Sequence, residues 1–142
     1  MDATVIWKHG LSFTGIGGSS GFSVPLGAKP EDGDANDGLR PLELLLIGTA
    51  GCTGMDVVSI LQKKRQAITA FEVRIHADRA TQHPMVFTHV VMEYVITGHN
   101  VDPAAVERAI DLSVEKYCSA HAMLSKAVPI DHTHTIIEAA SA

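Results

Sequence analysis

The chain has 142 residues, 46% of them hydrophobic and 19% charged, with a net charge of −5. This is length enough for one domain, residues 1–142, with a sizeable core, and the low charged fraction leaves little room for disorder. The acidic balance argues against a nucleic-acid partner, because phosphate binding needs a cationic face.

The first residues, Met1 to Lys8, hold no basic segment followed by an apolar run. No signal peptide is expected, and the expected compartment is a reducing cytoplasm. Residues 4–26 read as short strands, with Val5, Trp7, Leu11, Phe13, Phe22 and Val24 at the apolar positions. His9-Gly10 and the Gly17–Gly21 run supply the turns. Residues 27–40 form a polar loop of Gly, Asp and Pro.

A helix is predicted from Pro41, suited to a first helical position, to about Arg65. Lys63, Lys64 and Arg65 complement its C-terminal dipole. Its apolar residues cover the whole circumference, which predicts burial on every side. The stretch Leu42 to Leu61 is long enough to span a bilayer. It carries Glu43, Asp56 and three glycines, however, so no membrane association is expected. Gly48, Gly51 and Gly54 recur every three residues, pointing to close backbone approach, a helix break or an uncovered reactive side chain.

Residues 71–79 alternate strictly, and residues 85–97 form a second strand after the turn Gln82-His83-Pro84. A second helix starts at the N-cap Asp102 with Pro103 behind it, and is expected to run to about Lys126. Pro129 opens a last strand through Ile137. The order β-β-β-α-β-β-α-β is an α+β arrangement.

The residues that carry chemistry are Cys52 and Cys118, one per long helix. In a reducing compartment such a pair is catalytic or metal-binding more readily than a structural staple. A thiolate that attacks an O–O bond becomes a sulfenic acid, which condenses with a nearby thiol. The plain alternative is two buried apolar cysteines, but the small neighbours in Gly51-Cys52-Thr53-Gly54 leave the sulfur uncovered. Cys118 and His121, at i and i+3, could join Cys52 on a metal ion; no second close pair supports this, and no metal is expected. His132 and His134 alternate with threonines and read as a solvated strand face. Tyr117 reads as core, and Asp56 as a like-charge neighbour of Cys52 or a cap at a helix restart.

The pattern from Pro41 and Glu43 to Ala50-Gly51-Cys52, with Tyr117-Cys118-Ser119 later, resembles the OsmC/Ohr family of organic hydroperoxide reductases. The resemblance covers about residues 4–138 and is nearest to an OsmC-like subgroup. It implies an intertwined homodimer in which two long central helices are wrapped by β-sheets. It implies a peroxidatic cysteine at Cys52, a resolving cysteine at Cys118 and a functional glutamate at Glu43. It also implies no metal or prosthetic group, an organic hydroperoxide as substrate, and a dithiol such as a lipoyl group as reductant. Family members pair the glutamate and thiolate with an N-terminal Arg. Residues 1–39 contain no Arg, and Arg40 beside Pro41 is the nearest candidate. Slower turnover than in Arg-bearing relatives is therefore expected. The rival reading is a small-molecule or lipid-binding protein on the same fold, without peroxidase turnover.

Overall fold

The computed structural model describes residues 1–33 and 35–141. The chain divides into two units, Met1–Leu45 and Leu46–Ala142, with the first long helix running from one into the other.

In the first unit, strands β1 (Ala3–His9), β2 (Ser12–Gly17) and β3 (Ser23–Leu26) form an antiparallel sheet in that order. Every residue of β1 is exposed, Val5 and Trp7 included. A 3-10 turn at Pro30–Asp32 lies in the polar loop. Helix α1 (Pro41–Lys63) opens with Pro41, and the Glu43 carboxylate accepts the Arg40 backbone N–H at 3.3 Å. This reciprocal use of a third-position glutamate satisfies a donor that the first helical turn leaves free.

In the second unit, α1 continues without interruption through Gly48, Gly51 and Gly54 to Lys63, two residues short of the expected end. A break at the glycines does not occur. Arg65, at φ 56°, turns the chain into strand β4 (Ala67–Arg79). Strand β5 (Phe87–His99) pairs antiparallel with β4, and β6 (Ile130–Glu138) pairs parallel with β5, giving the order β4-β5-β6. The central strand turns Val90, Met92, Tyr94 and Ile96 inward, all fully buried. That is the side-chain period of two that one buried sheet face imposes. Val57 and Leu61 of α1 join this core, as do Ala105, Val106, Ala109 and Ile110 from helix α2 (Pro103–Leu112). Asp102 caps α2 by accepting the Ala104 N–H at 3.0 Å.

Two expectations are corrected here. The second helix does not run unbroken to Lys126. It widens into a π-turn at Ser113–Tyr117, breaks at Cys118 in extended backbone (φ −75°, ψ 100°), and restarts as α3 (Ser119–Leu124). Buried Ser113 is spoken for on two sides by long-range hydrogen bonds, and the Cys118 sulfur caps the restart. These contacts hold the chain out of the regular helix that its local pattern favours. Helix α1 is also not buried on all sides. Thr49, Thr53, Gly54, Val57 and Leu61 form its buried face, while Met55 is 78% exposed and Leu45 and Ile47 are about half exposed. By length and composition α1 is apolar enough to cross a membrane, with a mean hydropathy of 1.8 over its best stretch. Its Val57–Leu61 face nevertheless belongs to the core of the second unit.

Candidate active site at the two thiols

Cys52 sits in the middle of α1, half-buried, and Cys118 sits at the break between α2 and α3, only 2% exposed. Far apart in sequence, the two are free thiols and near enough that Cys52 raises the Cys118 thiol. The His121 backbone N–H donates to the Cys118 sulfur at 3.3 Å. Burial, the neighbouring Cys52 and the negative charge of Asp56 push the Cys118 thiol up to about 11, outweighing the pull of the His121 N–H. Cys118 is thus held as a neutral thiol.

Behind the thiols lies a buried polar chain. Ser113 Oγ donates to Asp56 Oδ2 at 2.9 Å and lies 2.8 Å from Thr53 Oγ1. Thr53 Oγ1 is 3.0 Å from the Tyr94 hydroxyl, which is 3.3 Å from His132 Nδ1. His132 Nε2 meets His121 Nε2 at 3.1 Å. Burial raises the Tyr94 hydroxyl and lowers both imidazoles, so the histidines are neutral near pH 7. At the far end His121 Nδ1 is buried with no hydrogen-bond partner.

Several sequence expectations move accordingly. Asp56 does not cap a helix restart, because α1 is continuous; its carboxylate takes the Ser113 hydroxyl. His132 is not on a solvated face, since its ring turns toward Tyr94 and His121. His121 offers Cys118 its backbone N–H, and its ring points to His132. The i, i+3 metal pair is therefore not formed, and among the described residues no three His, Cys, Asp or Glu side chains gather to hold a metal ion. Tyr117 is 51% exposed with the Lys116 ammonium 5.3 Å from its ring centre, so it is not core. Sequence reasoning missed Thr53, Ser113 and Tyr94. Their one signal was a hydroxyl at an otherwise apolar helix or strand position, which by itself is common.

Glu43 and Arg40 lie in the first unit. Nine residues of unbroken helix place Glu43 about 13.5 Å along the axis from Cys52. The Arg40 guanidinium is held in its own loop, donating to Gly38 O at 2.6 Å and to Asn36 Oδ1. An open apolar groove of about 700 Å³ runs between α1 and β4; Cys52 is not among the residues that line it. Gly51, Gly54, Met55, Val58, Phe71 and Val73 line it. Gly54 is a site of close approach, where an added Cβ would stand 3.4 Å from the Phe71 ring, whereas Gly48 and Gly51 face open space.

Comparison with known proteins bears on the family and the fold. A family model described as OsmC-like protein matches residues 33–133. Protein YhfA of Escherichia coli K12 is 41% identical over 140 residues, which cover 98% of this chain and all of that protein. The crystal structure of a hypothetical protein from Aquifex aeolicus superimposes with a TM-score of 0.85 at 27% identity, covering 98% and 97% of the two chains. An organic hydroperoxide resistance protein OsmC from Legionella pneumophila has the same fold, with a TM-score of 0.70 at 14% identity and coverage of 94% and 95%. The α+β fold and these matches together establish that the chain belongs to the OsmC-like protein family.

Proposed function

We propose that the chain is a thiol-dependent organic hydroperoxide reductase in which Cys52 attacks the peroxide and Cys118 resolves the product. The observation that carries this reading is the nearness of two free thiols, one half-buried and one buried, with Cys52 acting on the Cys118 thiol. The Cys52 thiolate attacks one peroxide oxygen, the O–O bond breaks, and the alkoxide leaves as an alcohol after taking a proton. Cys52 is then a sulfenic acid. The Cys118 sulfur attacks the Cys52 sulfur, the S–O bond breaks, and water leaves with the Cys118 proton as the disulfide closes. A dithiol, such as a lipoyl group in a reducing cytoplasm, returns both thiols. The apolar groove between α1 and β4, whose wall includes Gly51 next to Cys52 in the chain, suits the hydrocarbon part of an organic hydroperoxide.

The reading includes a homodimer, which would cover Ile47 and Met55 and give Glu43 a route to Cys52 of the other copy. In the test, one equivalent of cumene hydroperoxide removes both thiols per chain, and dithiothreitol restores them. Cys118→Ser leaves a Cys52 sulfenic acid that a dimedone probe captures. Cys52→Ser abolishes dithiol-dependent turnover; undiminished peroxide consumption by that variant sinks the proposal.

One observation favours a second reading, ligand binding without turnover. The Arg40 guanidinium is engaged by Gly38 and Asn36, and residues 1–39 supply no other Arg to stabilise a thiolate. An inactive wild type that takes up a fatty acid in the groove would establish that alternative.

A further inference from the structure

The hydrogen-bond chain behind the thiols has a fixed direction, and the direction follows from counting protons. Ser113 has one hydroxyl proton and gives it to the Asp56 carboxylate. Its bond to Thr53 must then be donated by Thr53. Thr53 has spent its own proton, so the Tyr94 hydroxyl donates to Thr53. Tyr94 in turn has none left, and His132 must carry its proton on Nδ1 to donate to the Tyr94 oxygen. A neutral His132 with Nδ1–H has a bare Nε2, which accepts from His121 Nε2–H. Neutral His121 is then left with an unprotonated Nδ1, the buried atom that has no partner. One arrangement satisfies all five bonds, and it fixes the tautomers of both histidines.

We propose that Asp56, Ser113, Thr53, Tyr94, His132 and His121 form a single-file proton path that runs from a bare acceptor at His121 Nδ1 to the Asp56 carboxylate, one helical turn beyond Cys52 on α1. A proton bound at His121 Nδ1 passes the Nε2 proton to His132 Nε2, the His132 Nδ1 proton to Tyr94, and so on until the Ser113 proton rests on Asp56 Oδ2. Net transfer is one proton from the histidine end to the carboxylate. The charge on Asp56 is thereby cancelled. Asp56 is four residues, about one helical turn, beyond Cys52, and its charge acts on both Cys118 and Tyr94. The other ionisable groups that act on Cys118 and His132 are Cys52, Asp131 and Asp111. The role of this path in catalysis rests on the peroxidase reading, but its existence does not.

The test needs no hydroperoxide. In the reduced protein, long-range ¹H–¹⁵N NMR at pH 7 should find His132 protonated at Nδ1 and His121 at Nε2; His132 protonated at Nε2 overturns the proposal. Thr53→Val frees the Tyr94 proton for His132 and should flip both tautomers, an outcome that mere loss of packing does not produce. Asp56→Asn keeps an acceptor for Ser113 and should leave the tautomers as in the wild type. Failure of the wild type to reduce hydroperoxides bears only on the peroxidase reading.

Discussion

Cys118 is 2% exposed and its thiol is pushed up to about 11, chiefly by burial. The folded state therefore holds a proton that the unfolded chain releases at the ordinary thiol range. A raised folded value stabilises below the unfolded value and stops doing so as pH climbs through the folded one. The expected outcome is a loss of stability between roughly pH 9 and about 11, read as a falling urea midpoint. In Cys118→Ala the fall over that window should be shallower. An identical slope in the two proteins would mean that Cys118 titrates as an exposed thiol. The same protonated thiol explains a division of labour in the proposed chemistry. Cys118 is a poor nucleophile at neutral pH, and the half-exposed Cys52 meets the peroxide first.

At the scale of elements, the π-turn Ser113–Tyr117 does what neither flanking helix does alone. It ties the end of α2 to α1 through Ser113, whose hydroxyl reaches both Asp56 and Thr53. Ser113→Ala takes the hydroxyl donor from Asp56 and leaves Thr53 bonded to Tyr94 alone. A cost of roughly 1–3 kcal/mol is expected from the lost bonds, measured by urea unfolding. Closure of the Cys52–Cys118 disulfide should slow as well, because the break at Cys118 loses its anchor. Asp102→Ala is the matched comparison. It removes the α2 cap at a cost of about 1 kcal/mol and should leave disulfide closure at the wild-type rate. Equal slowing in both variants would assign the effect to stability rather than to the turn.

For the molecule as a whole, large apolar side chains stand open on several elements. Val5 and Trp7 on β1, and Ile47 and Met55 on α1, each keep half or more of their surface open. A second copy seated on α1 would remove the Ile47 and Met55 surface from water. Sedimentation is expected to find a homodimer at micromolar concentration. Met55→Asp should weaken it by roughly tenfold or more while leaving the fold intact, since at 78% exposure Met55 contributes little to its own chain's core. A wild type that sediments as a folded monomer would contradict the homodimer.

The α+β class, the family and the two cysteines are legible in the chain before any packing is considered. Those features are written in local patterns: the alternation Phe71, Val73, Ile75, the Asp102-Pro103 start, and the Gly51-Cys52 context. Packing settles that α1 passes unbroken through its glycines, because a helix tolerates the cost of Gly when its other face is packed, as Val57 and Leu61 are. It also settles that His132 turns inward, that Tyr117 stays out, and that Thr53, Ser113 and Tyr94 join one polar chain. Each of these depends on a partner from a distant element: Thr53 and Ser113 are 60 residues apart, and Tyr94 and His132 are 38 apart. Periodicity reports which face a residue occupies, whereas the hydrogen-bond partner on that face is set by sheet pairing and helix packing, which no local pattern encodes.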